Sequence, residues 1–383
     1  MPKIKNGVIW LALWLLLSSC SFLPPVRPQG EVGPALCLPQ FPDRNGWYGG
    51  DGAYSIALDE RRTLWLFGDT FVSSDAGRKD RSGMDLVWGT TLAVSTCSEN
   101  AAFDIRYYLK KKNGRFVSSF GDGDWLWPQD PFLADNTLYI PLLAIETVPD
   151  APPPFNFRVA GHRLARIRDF RADDPHDWPV EYLDWSGVLP RDIEALATTS
   201  VVHKDHVYFY PLVKFEKNGQ SLPGNILARI PIRRLDDPAG HIEYRTAQGW
   251  QKKLNSETAQ IQFSDGVSEL SVRYHAGERQ WLAVYLSPAN RGDRLLYQTA
   301  PRPEGPWSPP APLIERIDEV NPASPLYSPH TFCYAGKEHR QFSQNKSLVV
   351  TYVCNSAETP DTPASFLRTR LFLYRPVVKV LPR

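Results

Sequence analysis

Five stretches of this chain repeat one theme: a polar or acidic opening, a short alternating strand, a turn, and a second strand rich in Tyr, Trp, Leu and Val. They are GGDGAYSIALDERRTLWLFGDTF (49–71), WPQDPFLADNTLYIPLL (127–143), TTSVVHKDHVYFYPL (198–212), SELSVRYHAGERQWLAVYL (268–286) and YSPHTFCYAGKEHRQFSQNKSLVVTYV (327–353). With Asp51, Asp130, Thr199, Glu269 and His330 taken as equivalent opening positions, the intervals are 79, 69, 70 and 61 residues. A four-stranded propeller blade needs about 40 to 50 residues, so each interval holds one blade with its loops. An all-β fold, a five-bladed β-propeller, is therefore expected. A two-sheet sandwich also has short strands, but it gives no reason for five similar hairpins at near-even spacing. The 35 Pro and 25 Gly against 2 Met fit a turn-rich β protein rather than a helical bundle.

The N-terminus reads as an address. Lys3 and Lys5 precede the apolar run Val8 to Leu17, too short to span a bilayer comfortably but suited to a signal-peptide core. Leu17-Ser18-Ser19-Cys20 resembles a bacterial lipobox. The expectation is a signal peptide over 1–19 and a lipid on Cys20 that holds the protein to the membrane of the bacterial cell envelope. Ser21 after the Cys, rather than Asp, resembles the pattern of outer-membrane sorting in Gram-negative bacteria. Residues 20–36 are Pro-rich and read as a linker, leaving 37–383 as one propeller domain. A net charge of +1 carries no basic footprint for nucleic acid. A monomer is expected.

Four further cysteines, Cys37, Cys97, Cys333 and Cys354, sit in an exported and oxidising setting, which leaves three pairings open. Cys333 and Cys354 bracket a hairpin-like stretch and are the favoured pair; Cys37 with Cys97 would then staple the N-terminal segment to the first sheet.

The first unit carries the chemistry. Its turn, Asp59-Glu60-Arg61-Arg62, folds position 51 back beside positions 69 and 70, so Asp51 and Asp69 share one end of two neighbouring strands. Directly opposed β carbons lie about 4.5 to 5.5 Å apart, and like charges that close push one pKa up. One acid is then protonated while the other is ionised, as glycoside hydrolysis requires. The flanking glycines allow close approach of backbone or ligand.

On these residues the chain resembles a known family. GGDGAYSIALDERRTLWLFGDTF is similar to the N-terminal signature of domain of unknown function 4185, a family grouped with glycoside hydrolases that cut D-arabinan. SVRYHAGERQWLAVYL and YQTAPRPEGPWSPP resemble repeats of that family and of five-bladed furanosidases more widely, so the likeness covers roughly residues 45 to 355. It implies a hydrolase of arabinofuranosyl linkages with Asp51 and Asp69 as its acidic pair. The furanosidases take a base or nucleophile, a general acid and a third carboxylate that tunes them from successive blades, but the third unit here begins Thr198-Thr199-Ser200, with Glu194 just upstream.

Asp130 and Glu269 are therefore expected to contact the substrate or to tune the acids, with Arg273 on the same strand face as Glu269. His330 would hydrogen-bond a sugar hydroxyl. Trp47 and Trp127 are the expected stacking platforms, with Trp125 beside the latter. His203-Lys204-Asp205-His206 falls in the hairpin turn of the third unit and reads as a solvated turn. No GxSxG, GxxxxGK[ST] or HExxH motif occurs. No metal site or cofactor is expected, a structural ion in the central channel being the one ligand left open. The competing reading is a non-catalytic, glycan-binding propeller lipoprotein of the envelope.

Overall fold

The computed structural model describes residues 37–382 apart from 99, 152–155, 218, 345 and 359–365. The signal peptide, Cys20 and the Pro-rich linker lie outside the described residues. Among the described residues no helix is long and apolar enough to cross a membrane.

Each of the five repeated stretches opens an antiparallel sheet. The first sheet orders Tyr54–Ala57, Arg62–Phe67, Thr91–Cys97 and Phe103–Tyr108. The second follows Phe132–Ala134, Thr137–Thr147, Phe157–Ile167 and Glu181–Asp184. The third runs from Ser200–His203 through His206–Phe209, Ala228–Pro231 and Glu243–Thr246 to Gly249–Gln251. The fourth runs from Leu270–His275 through Gln280–Leu286 and Leu295–Ala300 to Ala311–Ile314, and the fifth takes Thr331–Glu338, Ser347–Ser356 and Pro376–Pro382.

The hairpins form for local reasons. Asp59 accepts the backbone N–H groups of Arg61 and Arg62 at 2.9 and 2.7 Å, which closes the first turn. Asp135 and Asn136 both take positive φ, 48° and 57°, between the paired Ala134 and Thr137, as a two-residue hairpin with right-handed strand twist requires. Lys204 and Asp205 make the corresponding turn of the third unit between the paired His203 and His206, where the sequence places it. Three smaller sheets were not foreseen: Trp47–Gly50 with Thr70–Val72 and Asp85–Val87, Ile193–Ala195 with Leu212–Lys217 and Gln220–Asn225, and Lys111–Lys112 with Arg115–Phe116.

The apolar faces are buried between sheets. Leu64 and Leu66 pack with Leu138 and Ile140, Leu164 with Val207 and Phe209, and Val201 and Tyr208 with Leu270 and Val272. Leu282 and Val284 pack with Val350 and Tyr352, while Trp65 and Phe67 meet Phe342 and Val349. Each cluster is thus shared by two consecutive units, the fifth with the first included. Inner strands are also joined by hydrogen bonds: Ser200 N to Asp130 Oδ2 at 2.8 Å, Val272 N to Thr199 Oγ1 at 3.1 Å, Glu338 N to Ser271 Oγ at 2.7 Å, and Ser55 with His339 at 2.6 Å. The result is an all-β, propeller-like scaffold whose units meet along their inner strands.

Both favoured disulfides are present, Cys333–Cys354 across the hairpin of the fifth unit and Cys37–Cys97 from the N-terminal segment to the first sheet.

Candidate active site

The ladder of the first hairpin ends at Tyr54 and Leu66; beyond it Gly52 and Ala53, at φ 77° and 52°, shift the register by one residue, so Gly68 N donates to Asp51 O at 3.0 Å and Asp69 follows immediately. Asp51 and Asp69 therefore stand at one end of neighbouring strands, as the turn position predicts. A β carbon on Gly68 would meet Asp51 Oδ1 at 2.2 Å; only glycine leaves the carboxylate room to lie across the strand.

The two carboxyls have different surroundings. Asp51 is half-buried, and its Oδ2 accepts the hydroxyl of Tyr334 at 2.8 Å. Tyr374 supplies a second hydroxyl. Part of its surface stays open, but dense packing makes burial the largest cause of a pKa pushed up to about 8, with the Asp69 and Glu269 charges adding to it. Asp69 is buried, and its Oδ1 accepts three N–H groups: Gly89 N at 2.7 Å, Trp127 Nε1 at 2.8 Å and Trp125 Nε1 at 3.0 Å. Burial raises its pKa to about 7, and the three donors hold it from rising further. Oδ2 takes none of these bonds.

Glu269 joins this group from the fourth unit. Its Oε1 lies 3.4 Å from Lys337 Nζ, and it hydrogen-bonds Tyr54. Lys337 is buried, donates to Gly52 O and lies over the Tyr54 ring at 4.1 Å, and burial lowers its pKa. The cluster thus draws Asp51 and Asp69 from the first unit, Glu269 from the fourth, and Tyr334 and Lys337 from the fifth.

Three expectations are corrected by this geometry. Asp130 is 1% exposed, and both its oxygens are taken: Arg273 Nη2 reaches Oδ1 at 2.8 Å and Oδ2 at 2.9 Å, and Oδ2 also accepts Thr199 Oγ1 and Ser200 N. Arg273 Nη1 is occupied by Thr199 Oγ1 and by the carbonyls of Val272 and Ser200. Asp130 and Arg273 form an internal tie between units rather than a pair of ligand contacts, and Thr199 belongs to that tie. Trp47 is fully buried and stacked on Tyr107 at 4.5 Å, so neither of its faces is open to a sugar. His330 is exposed, and the residue of the fifth unit that stands at Asp51 is Tyr334, four positions later. The strand Thr331–Glu338 runs further than the spacing suggested, with a register shift between Tyr334 and Lys337 and Ala335 at φ 58°.

Trp127 and Trp125 do stand at Asp69. Glu194, by contrast, pairs with Lys214 at 2.6 Å in one of the additional sheets. Sequence reasoning missed Tyr334, Lys337 and Tyr374. Moving the fifth opening position four residues on would have found Tyr334, but no pattern links Tyr374 to the repeats. Cavity size does not locate this chemistry: a groove of about 410 Å³ lined by Arg106, Lys111, Asp174 and His176 includes none of Asp51, Asp69 and Glu269.

A propeller-like scaffold presenting two acids, Asp51 half-buried and Asp69 buried, at the mouth of its first hairpin is the class of protein that emerges. The chain belongs to the family described as domain of unknown function 5005, which matches residues 40–378. Domain of unknown function 4185 is not the family this match identifies. No curated protein matches the sequence. Among solved structures, a protein of Bacteroides ovatus named for a provisional hydrolase assignment superposes with a TM-score of 0.65 at 16% identity, over 88% of this chain and 86% of that one. The two share a fold. The α-L-arabinanase of Cellvibrio cellulosa (TM-score 0.44, 11% identity, 87% of this chain and 91% of that one) and the GH43_1 enzyme of Xanthomonas citri (0.44, 12%, 91% and 89%) align more loosely.

Proposed function

We propose that this protein is a glycoside hydrolase built as a closed five-bladed β-propeller, acting on arabinofuranosyl linkages of a D-arabinan-type polysaccharide. One observation carries the reading: two adjacent carboxyls, Asp51 and Asp69, both brought into the neutral range by burial but bonded differently. Between about pH 7 and 8 the pair keeps one proton, more of it on Asp51. Asp51 then donates that proton to the glycosidic oxygen as the bond to the anomeric carbon breaks, while Tyr334 fixes the carboxyl's orientation. Asp69, its Oδ1 held by three N–H donors, offers Oδ2 to the anomeric carbon or to the water that attacks it.

The sugar class rests on the resemblance of the first signature, and the anchor on the lipobox. Cys20 carries a lipid that holds the domain in the bacterial envelope, at the outer membrane, with residues 20–36 as spacer. Incorporation of labelled palmitate, lost in Cys20→Ser, tests the anchor.

Activity is tested by product release from D-arabinan and from L-arabinan by the detergent-solubilised full chain, beside Asp51→Asn and Asp69→Asn variants that still fold. Oligosaccharides released from D-arabinan by the parent and by neither variant are the expected result. Polymer bound by all three proteins and cut by none would overturn the enzyme in favour of a glycan-binding propeller.

A further inference from the structure

We propose that Trp88, Trp125, Trp127 and Phe157 form a stacking subsite for a second sugar ring of the polysaccharide, so that the protein grips a chain rather than a terminal residue. The inference rests on the hydrolase reading of Asp51 and Asp69 and deepens it.

Trp125 and Trp127 lie two positions apart and are half-buried, with Leu126 fully buried between them, so both indoles leave the same face of the chain. Their rings meet at 5.5 Å and 90°, and both N–H edges converge on Asp69 Oδ1. The two indoles thus form a corner whose apex is the carboxylate. Phe157 closes the corner from behind, 4.7 Å from Trp127 and 6.1 Å from Trp125.

Trp88 extends the surface outward. Its ring stands at 4.8 Å and 66° to Trp125, and it is 54% exposed. The next residue, Gly89, is the one whose backbone N–H holds Asp69, which fixes Trp88 one residue from the carboxylate. At φ 109° Gly89 is where the chain turns, and a β carbon there would meet Ser118 Oγ at 2.7 Å. The loop is thereby pinned with its tryptophan facing out. An exposed aromatic cluster continuous with a pair of acids is apolar area kept uncovered beside the reacting groups. A sugar ring, with one face of C–H groups and a rim of hydroxyls, covers such a surface without desolvating a charge.

The test compares wild type, Trp88→Ala and Trp88→Phe, as full chains in detergent, on D-arabinan and on 4-nitrophenyl arabinofuranoside, which has a single sugar. Loss of one aromatic contact of this kind corresponds to a change of up to about tenfold. The expected result is an approximately tenfold fall in the ratio of kcat/KM for polymer to kcat/KM for the aryl glycoside in Trp88→Ala, carried by KM, and recovery in Trp88→Phe. An unchanged ratio with D-arabinan still cut overturns the subsite and leaves the hydrolase standing. Binding gives the separate arm: on the Asp69→Asn background, retardation in arabinan-containing gels should weaken when Trp88 is also replaced. If wild type cuts nothing but this retardation is lost with Trp88, the subsite stands and the hydrolase reading falls.

Discussion

Replacing Asp51 by Asn should stabilise the fold at alkaline pH while removing activity. The native carboxyl has its pKa pushed from 3.8 to about 8. From about pH 4 upward the unfolded chain has lost this proton and the native state has not, so the unfolded state binds fewer protons. Stability therefore falls as pH rises through that window and levels off above about 8. Four units at about 1.36 kcal/mol each set a ceiling of roughly 5 to 6 kcal/mol, and water reaching the open side of Asp51 reduces the realised penalty to about 2 to 3 kcal/mol. Asn removes the charge and keeps an oxygen for Tyr334. In a domain of this size about 2 °C accompanies each kcal/mol, so Asp51→Asn should melt about 4 to 6 °C above wild type at pH 9. Scanning calorimetry at pH 5, 7 and 9, with disulfides intact, measures it. The two proteins should nearly coincide at pH 5 and separate steadily above it. A difference independent of pH, or a variant that melts lower at pH 9, would refute the reasoning.

The same two groups bound the reaction: kcat/KM should rise as Asp69 ionises near pH 7 and fall as Asp51 does near 8, and a flat profile from 6 to 9 in stopped assays would contradict the acid–base roles. Trp47→Ala should destabilise by about 3 to 5 kcal/mol in urea titrations and leave the KM of the folded fraction alone, since the ring is core. By loop closure, removing Cys37–Cys97, with a separation of 60, should cost about 4 kcal/mol, against about 3 for Cys333–Cys354, with a separation of 21; denaturant midpoints in the reverse order would count against that account. Arg81→Ala should expose residues 366–374 to limited proteolysis and lower kcat, and an unchanged digestion pattern would show that Arg81 does not hold that segment.

What could be read from the sequence was local. The turns at Asp59, at Asp135-Asn136 and at Lys204-Asp205 follow from side chains and φ preferences within a few residues, and with them five hairpins and an all-β fold. The acid pair was legible because Asp59 fixes the turn, and the bulge at Gly52 and Ala53 displaces the register by only one residue, which leaves Asp51 beside Gly68 and Asp69. His330 was misplaced because the fifth inner strand already begins at Thr331, three residues ahead of Tyr334, the residue that meets Asp51. Asp130 occupies the same position in its unit as Asp51 does in its own. Only the partners brought by the third and fourth units, Thr199, Ser200 and Arg273, turn it into an internal tie. Trp47 adjoins the Gly-rich opening, yet Tyr107, sixty residues on, decides that it is core.

That contrast bears on how the site is made. Asp51 and Asp69 belong to one hairpin, but neither acquires its chemistry there. Asp69 is held by indoles of the second unit, and Asp51 by Tyr334 of the fifth and by Tyr374 near the C-terminus. Tyr374 is brought there by Arg81, a buried residue between the first and second repeats. Its guanidinium donates to the carbonyls of Leu367, Arg370, Leu371 and Leu373 at 2.5, 2.9, 3.5 and 2.5 Å, while its own N–H bonds Arg368 O at 3.0 Å. Gly49 completes the seam, since a β carbon there would stand 2.5 Å from Tyr374 O. Docking the C-terminal segment against the first unit and supplying the hydroxyl at Asp51 are therefore one event. A change that loosens this seam disturbs the proton on Asp51 before it unfolds the sheets, so activity is lost ahead of stability there, and the reverse order holds for Trp47, whose ring packs on Phe67 and Tyr107.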